Sequence, residues 1–257
     1  RFTESEVREL VGGGASAADV REARADSIEE IGSGALKLVV AGMRQLTPRV
    51  RAYELRALDW SELPPVTAGA HLAVTVRLAV GSEVTRQYSL ASHPQRRDIY
   101  EIAVLREEVG RGASAAIHAA WQIGTRLAVD HPVNQFPLHD DDRHAVLIAG
   151  GIGITPIQAM ARELKARGTP FALHYSGRTA GEMAYRDTLA IEFAQQLHLY
   201  FTRTANETRL DLHTTMASAP PGALFYVCGP GRLIKAARTA ASDLAIPARR
   251  VQYESFE

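Results

Sequence analysis

The chain of 257 residues is 46% hydrophobic and 23% charged, which are ordinary values for a globular protein of one large or two ordinary domains. Its 29 basic and 29 acidic residues balance, which argues against nucleic acid or a membrane as a partner, and without a long apolar run or signal pattern a cytoplasmic protein is expected. The single cysteine, Cys228, excludes an intrachain disulfide and a plant-type iron–sulfur cluster held by this chain alone, and the scattered histidines predict no metal site.

Residues 1–34 are predicted to form an N-terminal extension or linker. They are rich in acidic side chains and poor in apolar ones, and Gly12–Gly14 separates two short helix candidates at 3–11 and 16–31. Few apolar groups are available to offset the entropy cost of ordering, so a partly ordered segment is expected.

Residues 35–138 are predicted to form an antiparallel β-barrel domain. Proline, glycine and aspartate punctuate the strand candidates at intervals typical of such a barrel. One short helix is expected near residues 114–121. The strand candidates are 36–40, 50–55, 71–76 and 99–104.

Residues 139–257 are predicted to form an α/β domain, because strand and helix patterns alternate from there onward. This alternation indicates a parallel sheet with helices on both sides. The strand candidates are 146–149, 171–175, 197–201, 223–227 and 251–253, and the helix candidates are 156–167, 181–195 and 231–244. The domain boundary is placed in the polar run 138–143.

A glycine turn follows the first strand of this second domain. Gly150, Gly151, Ile152 and Gly153 stand between an apolar strand and a helix that begins near Pro156. Without side chains at the glycines, a pyrophosphate can approach backbone amides at a helix N-terminus, where the dipole favours negative charge. The turn predicts nucleotide binding, although a tight strand-to-helix turn of another α/β protein would show the same spacing.

Three further stretches carry candidate site residues. Arg86-Gln87-Tyr88-Ser89, placed at the end of the third barrel strand, offers a cation for phosphate and a flat ring for an aromatic ligand, or else forms an ordinary strand edge. The 110–115 stretch suits a phosphate at a helix N-terminus, or is simply a capped helix. Cys228-Gly229-Pro230 ends a strand where a parallel sheet binds ligands, or contains a buried, inert cysteine.

Taken in order, these motifs resemble the ferredoxin–NADP reductase superfamily, and within it the phthalate dioxygenase reductase-like branch, from about residue 36 to 257. Arg86 to Ser89 resembles the family's Arg-x-Tyr-Ser flavin motif, Gly150 to Pro156 its nicotinamide turn, and Cys228 to Pro230 its Cys-Gly-Pro. The stretch 133–138 also resembles the branch's Asn-x-Phe-x-Leu segment.

For the flavin, the resemblance implies that Arg86 holds the phosphate, Tyr88 packs on the isoalloxazine ring, and Ser89 bonds near the reactive nitrogen. Gly112-Ala113-Ser114 matches a Gly-Gly-Ser phosphate loop with alanine in place of the second glycine, and alanine restricts positive φ. The other implied flavin contacts are Gln87 and the backbone of Ile102, Ala103 and Val104.

For the nicotinamide nucleotide, the resemblance places Thr155 and Cys228 beside the nicotinamide. Glu254-Ser255-Phe256 resembles the Glu-x-Phe at the end of the reductase portion, with Phe256 lying against the flavin. Ser176 and Arg178 follow a strand with no acid among residues 176–179 to grip a ribose 2′-hydroxyl, and they suit a 2′-phosphate.

These features predict an electron-splitting reductase that uses FMN rather than FAD and NADPH rather than NADH. Catalytic roles are predicted for Ser89, Thr155, Cys228 and Phe256, and the acceptor is a [2Fe-2S] ferredoxin domain or protein that serves an oxygenase. Longer members of the branch carry the ferredoxin domain after Glu-x-Phe, so it is expected to be separate or removed. The N-terminal extension resembles linkers of self-sufficient fusions, which implies a haem-type oxygenase upstream. A non-catalytic flavin- or nucleotide-binding sensor is the alternative.

Overall fold

A computed structural model describes residues 30–78, 81–107, 112–204 and 208–256. The helix predicted for 3–11 and most of that predicted for 16–31 lie outside the described residues. The end of the second helix prediction is wrong, because Glu30–Gly32 forms a strand, β1, that pairs in parallel with Arg126–Val129. The segment predicted as a linker therefore contributes its last residues to the first domain's sheet.

The first domain contains two sheets. Within them every pairing except that of β1 is antiparallel, as predicted for the barrel. The strands after β1 are β2 (Leu36–Thr47), β3 (Val50–Ala57), β4 (Ala70–Arg77), β5 (Glu83–Ser89), β6 (Tyr100–Leu105), β7 (Arg126–Val129) and β8 (Val133–Asn134), and helix α1 is Ala113–Ala120. The larger sheet has the order β1-β7-β2-β3-β6 and the smaller one β5-β4-β8.

The position predicted for the Arg86–Ser89 motif is corrected by this topology. The motif does not end the third predicted strand, which is β4, but lies on a strand of its own, β5, that runs back beside β4 with Ser89 opposite His71. Strands β7 and β8 escaped prediction because four and two residues are too few to show an alternating pattern.

The second domain contains one five-stranded sheet of order β11-β10-β9-β12-β13, in which all pairings are parallel. All six residues of β9 are buried, as expected of a central strand covered on both faces. The strands are β9 (Ala145–Gly150), β10 (Phe171–Gly177), β11 (Leu197–Phe201), β12 (Leu224–Cys228) and β13 (Val251–Glu254), and the helices are α2 (Ile154–Arg167), α3 (Arg186–Glu192), α4 (Leu212–Ala217) and α5 (Gly231–Asp243).

Helices cover both faces of this sheet, as predicted. One face packs under α4 and α5 in a core of its own. The other face packs under α2 and α3, and its core continues into the first domain through Ala91, Ala103 and Phe136. Phe136 meets Tyr226 of β12 edge-on, with 5.9 Å between ring centroids. The two domains therefore share one apolar core across their boundary.

Two helix ends illustrate how local sequence sets these elements. Helix α2 ends at Gly168, whose φ of 69° is the left-handed conformation that glycine adopts most easily. Helix α4 begins at Asp211, whose side chain accepts a hydrogen bond from the Thr214 amide at 3.0 Å. In the described part of the chain, no helix is both long and apolar enough to cross a membrane.

Candidate active site

Three side chains from three strand ends meet where the parallel sheet faces the first domain. Ser89 ends β5, Cys228 ends β12 and Glu254 ends β13. The Ser89 hydroxyl donates to Glu254 Oε2 at 3.3 Å, and the Cys228 thiol lies 3.8 Å from the same oxygen. The strand ends thus bring together residues as far apart in sequence as 89 and 254 around one carboxyl group.

Burial governs protonation in this group of residues. It raises the pKa of Glu254 to about 7, against the opposing effect of hydrogen bonds from Ser89 and Cys228. Burial also raises the pKa of the Cys228 thiol well above its usual value, and the neighbouring Glu254 adds to this rise. The thiol therefore stays protonated at neutral pH, which makes it a donor to Glu254 rather than a nucleophile.

A cavity of about 230 Å³ opens beside these residues. Its lining comes from both domains and consists of His71, Gln87, Ser89, Gln135, Tyr253, Glu254, Ser255 and Phe256. A larger open groove of about 440 Å³ runs between α4 and α5, but no motif residue lines it. The smaller cavity is therefore the candidate active site.

Strand β5 divides its motif between two faces. Arg86 and Tyr88 are two residues apart and share one face, where Tyr88 packs against the core of the first domain and burial raises its pKa to about 12. Gln87 and Ser89 share the other face and line the cavity. Arg86 is part-exposed, and its guanidinium donates to the Thr85 carbonyl at 2.7 Å.

The N-terminus of α1 provides an open position for an anion. Gly112 precedes the helix with φ 80°, and a Cβ there would meet nothing within 4 Å. Ala113, in contrast, is absent from the non-glycine residues with positive φ, so alanine is compatible with the loop. The Ser114 hydroxyl accepts a hydrogen bond from the Glu107 amide at 3.1 Å. Gly110 and Arg111 lie outside the described residues.

Strand β6 is the outer strand of its sheet. Beyond it, the described chain makes a single bridge, from Ile102 to Leu90. The side chains of Ile102, Ala103 and Val104 are buried, so only the backbone of this stretch can serve a ligand. The Val104 carbonyl already accepts a hydrogen bond from His118 Nε2 at 2.9 Å.

The turn at Gly150–Gly153 and the turn at Cys228–Pro230 pack against each other through their backbones. A Cβ on Gly153 would lie 2.3 Å from the Cys228 carbonyl oxygen, and one on Gly229 would lie 3.0 Å from Gly150 Cα. Gly151 differs, because its φ is 56° and the space beside it is open. Gly153 and Gly229 are thus required for packing, whereas Gly151 leaves room for a ligand. Pro230 follows directly and precedes α5.

Thr155 and Phe256 lie in different surroundings. Thr155 is 3% exposed, and its hydroxyl donates to the Ile152 carbonyl at 3.0 Å, within the turn itself. Phe256 lines the cavity and is 45% exposed. Of the two, only Phe256 contributes to the wall of the cavity.

Ser176 and Arg178 lie at the end of β10, beside the glycine turn, since Ser176 pairs with Gly150. Arg178 Nη1 lies 4.0 Å from Glu182 Oε1, and Thr179 donates to the other oxygen of Glu182 at 3.1 Å. This acid lies beyond the residues 176–179 on which the nucleotide prediction rests, and the short helix at 180–182 brings it back to the arginine.

Comparison with known proteins gives the family. Residues 147–239 match the model of the oxidoreductase NAD-binding domain. The haem-dependent oxidative N-demethylase beta subunit of Ectopseudomonas mendocina (strain ymp) is 38% identical over 221 residues, which cover 86% of this chain and 69% of that protein. The structure of phthalate dioxygenase reductase, described as modular for electron transfer from pyridine nucleotides to [2Fe-2S], matches with 32% identity and a TM-score of 0.78, over 86% of this chain and 67% of that one.

The chain belongs to the phthalate dioxygenase reductase-like branch of the ferredoxin–NADP reductase superfamily. It is an oxidoreductase of the type found as reductase components of oxygenase systems. An intact type IV self-sufficient cytochrome P450 monooxygenase also matches, with 34% identity and a TM-score of 0.79, over 86% of this chain but only 28% of that one. The resemblance seen in the sequence, and the fold it implied, are confirmed.

The residues present fit the flavin and NAD(P) expected of this reductase family. Gly112 and Gly151 have left-handed backbones beside open space, each next to a helix start where an anion is favoured. His71 and Gln135 line the cavity, although neither is among the predicted site residues. His71 stands opposite Ser89 in the β4–β5 pairing, and Gln135 occupies the first variable position of the Asn-x-Phe-x-Leu segment. No three His, Cys, Asp or Glu side chains among the described residues are grouped as a metal would need.

Proposed function

We propose that this chain is the flavin and nucleotide portion of an oxygenase reductase that moves electrons from NADPH through FMN to a [2Fe-2S] ferredoxin. The observation that carries the proposal is the meeting of Ser89, Cys228 and Glu254 at a cavity between the two domains, with Ser89 and Glu254 in its wall and Cys228 buried behind Glu254. When bound, a flavin accepts a hydride from NAD(P)H and can release the two electrons one at a time. The chain's own residues bind and orient the reactants and manage a proton.

Ser89 and Glu254 are the proton-handling groups in this proposal. The Ser89 hydroxyl is fixed by its hydrogen bond to Glu254 Oε2, so it can pass a proton between that oxygen and a ring nitrogen in the cavity. Since the pKa of Glu254 is about 7, this carboxyl can hold or release a proton near neutral pH. Cys228 contributes a protonated thiol that orients the carboxyl.

In this proposal the first domain holds the flavin and the second domain holds the nucleotide, with the cavity between them. Arg86 and the α1 N-terminus at Gly112 bind the flavin phosphate, with Ala113 and Ser114 in the same loop. Gly150 to Gly153 bind the pyrophosphate, and Phe256 covers the flavin face until nicotinamide displaces it. The backbone of Ile102, Ala103 and Val104 follows the ring, and Tyr88 and Gln87 contact it from β5.

The first test is spectroscopic. We expect the purified protein to be yellow and its flavin absorbance to bleach when NAD(P)H is added without oxygen. A flavin that stays oxidised would refute the reductase proposal and favour the sensor alternative. Chromatography of the heat-released cofactor should show FMN, because the sequence offers one phosphate loop at the start of α1 and no separate adenine-stacking segment is evident in it. Recovery of FAD would refute that assignment.

The choice of NADPH rests on Ser176 and Arg178, with Glu182 as an opposing group. Arg178 can pair with a 2′-phosphate, whereas Glu182 can accept a hydrogen bond from a ribose 2′-hydroxyl. We expect kcat/KM to be higher with NADPH than with NADH. Arg178→Ala should lower the ratio of the two values and Glu182→Gln should raise it. A wild-type preference for NADH, or an unchanged ratio in Arg178→Ala, would refute NADPH selection.

The partner proposal follows from the relatives and from cysteine count. With Cys228 as its one cysteine, this chain alone lacks the four thiolates of a plant-type cluster. We therefore expect ferricyanide to be reduced directly, but cytochrome c only slowly until a ferredoxin is added. Rapid cytochrome c reduction without ferredoxin would contradict this relay. A haem-type oxygenase joined upstream is supported by the match to the self-sufficient monooxygenase. A cytoplasmic location stays a prediction.

A further inference from the structure

A polar network with a buried carboxylate at its centre crosses the boundary between the two domains, and none of its residues lines the cavity. Glu101 of β6 is 7% exposed and stands at its centre. One of its carboxylate oxygens accepts a hydrogen bond from the Tyr185 hydroxyl at 2.8 Å, and the other pairs with Arg44 Nη2 at 2.5 Å. Glu101 and Arg44 belong to the first domain and Tyr185 to the second, so the network joins the domains through one carboxylate.

Tyr185 is held in an unusual backbone conformation. Its φ of 61° and ψ of 1° lie in the left-handed region, which glycine and asparagine adopt more easily than tyrosine. Local preference does not explain a tyrosine here. Its side chain is buried, and its hydroxyl reaches the carboxylate of the other domain. The contact across the boundary therefore accounts for the residue at this position.

Tyr185 also ends the loop that carries the nucleotide-selecting groups. Residues 177–185, termed here the selection loop, leave β10 and return beneath it to α3. A Cβ on Gly177 would lie 2.3 Å from Met183 Cγ, and the Tyr175 hydroxyl donates to the Ala184 carbonyl at 3.2 Å. The selection loop is thus closed at its base by contacts within the second domain, which hold Arg178 and Glu182 independently of the Tyr185 contact with Glu101.

The far end of α3 is fixed to the first domain as well. Arg162 of α2 donates to the Ala91 carbonyl at 2.9 Å and pairs with Glu192, the last residue of α3, at 3.1 Å. Ala91 in turn donates its amide to the Glu101 carbonyl at 2.7 Å. Both ends of α3 are therefore connected to Glu101 of β6, one through Tyr185 and the other through Arg162 and Ala91.

We propose that Glu101, Arg44 and Tyr185 are positioning residues that set the alignment of the nucleotide domain on the flavin domain. The proposal rests on the proposed function, because alignment matters only if the two domains bring one reactant each. Nicotinamide is held by the second domain and flavin by the first, so a displacement of about 1 Å at their boundary can slow hydride transfer by up to about a hundredfold. Flavin binding and recognition of the adenosine half each remain within one domain.

The test compares Tyr185→Phe with two Glu101 variants and a matched control. Glu101→Gln can still accept from Arg44 through its oxygen and donate to Tyr185 through its amide nitrogen, whereas Glu101→Ala loses both contacts. Tyr200→Phe is the control, because it removes a hydroxyl that bonds His174 Nδ1 at 2.9 Å within the second domain. The measurements are hydrogen exchange of residues 177–193, the Kd of 2′,5′-ADP, flavin content and the single-turnover rate of flavin reduction.

In Tyr185→Phe and Glu101→Ala we expect exchange to rise from Tyr185 through α3, within the measured residues, and flavin reduction to slow by roughly tenfold, the factor that one lost hydrogen bond to a charged group can produce. Flavin content and the Kd of 2′,5′-ADP should stay within about twofold. Glu101→Gln should remain near the wild type, and Tyr200→Phe should change neither exchange nor rate.

The proposal is overturned if Tyr185→Phe matches Tyr200→Phe in both exchange and rate, or if 2′,5′-ADP affinity and reduction rate fall together, since the second result shows a local role in the selection loop. It is also overturned if Glu101→Gln is as impaired as Glu101→Ala. A wild-type protein that binds no flavin or NAD(P)H would refute the proposed function instead, whereas the exchange comparison would still test whether the network holds the domains.

Discussion

In the second domain, Gly153 and Gly229 let two turns touch through their backbones, whereas Gly112 in the first domain, like Gly151 in the second, adjoins open space. Both domains carry glycine-rich motifs, and their sequences look alike. The structure separates a glycine needed for packing from one that leaves room for a ligand. A substitution should therefore affect stability at the packed turns of the second domain and ligand affinity at the open flavin site of the first domain, which are called here the packed side and the open side.

The largest effect is expected from Gly153→Ala. The new Cβ would lie 2.3 Å from the Cys228 carbonyl oxygen, so the two turns must separate, at a cost of about 3 kcal/mol in unfolding free energy. Gly168→Ala is the control, since it has φ 69° with no neighbour within 4 Å and should cost about 1 kcal/mol from backbone strain alone. Urea unfolding measures both, and equal losses would show that the turns do not need this close contact.

On the open side, Arg86→Ala should weaken flavin binding without unfolding the protein. Loss of a charged partner to phosphate should reduce affinity by about 1.5–3 kcal/mol, so the variant should purify largely colourless. Lys37→Ala, which removes an exposed ion pair between Lys37 of β2 and Glu30 of β1, should stay yellow. Flavin fluorescence titration of the flavin-free proteins gives the affinities. Retention of full colour in Arg86→Ala would remove this arginine from the flavin site.

Where the two sides meet, Glu254→Gln should change how the unfolding free energy depends on pH. The carboxyl has its folded-state pKa raised from 4.5 to about 7, so its contribution to stability is complete below about pH 4.5 and is lost as pH rises through about 7. We expect wild-type unfolding free energy to fall across this window relative to Glu254→Gln. Burial lowers the pKa of His174 to about 4, but His174 is common to both proteins, so its opposite effect cancels.

The reduction rate should follow the same group. Wild-type flavin reduction should vary with pH around a midpoint near 7, and Glu254→Gln should flatten this variation. Parallel pH profiles in the two proteins would exclude Glu254 from proton handling, whatever the stability data show.

A smaller effect, of opposite sign, is expected at Gln158 in α2. This side chain is fully buried, and neither amide atom has a hydrogen-bond partner among the described residues. Gln158→Met keeps a similar volume and removes the desolvated amide, so it should raise unfolding free energy by about 1 kcal/mol. Ala159→Met, which adds bulk at the next buried position, should lower it instead. A loss of stability in Gln158→Met would mean that the amide has a stabilising partner.

The elements predicted best from the sequence are those whose structure depends on neighbouring residues alone. Strand β9, the turn at Gly150 and helix α2 follow one another within residues 145–167, and each has a pattern that needs no distant contact. Helix α4 was missed because it has six residues, and only the Asp211 cap marks its start. Contacts between residues far apart in the sequence could not be predicted. Glu101 and Tyr185 are 84 positions apart, and neither pattern points to the other.

The same distinction between local patterns and distant contacts applies to the candidate active site. Ser89, Cys228 and Glu254 were each identified through motifs, but their convergence on one oxygen depends on the order of strands β9, β12 and β13. The raised pKa of Glu254 depends on burial, which no motif encodes. Glu182 was missed because a turn of helix, rather than adjacency in sequence, brings it to Arg178.

The apolar core shared by the two domains also bears on how the chain is made. During synthesis the first domain emerges before its covering, so Ala91, Ala103 and Phe136 present a bare apolar surface until β9, α2 and β12 follow. At about 5–20 residues per second on the ribosome, this interval lasts several seconds. A nascent chain paused after residue 138 should therefore expose this apolar surface, aggregate readily and recruit chaperones. Hybrids made by exchanging halves between relatives should fold only when both sides of that surface are exchanged together.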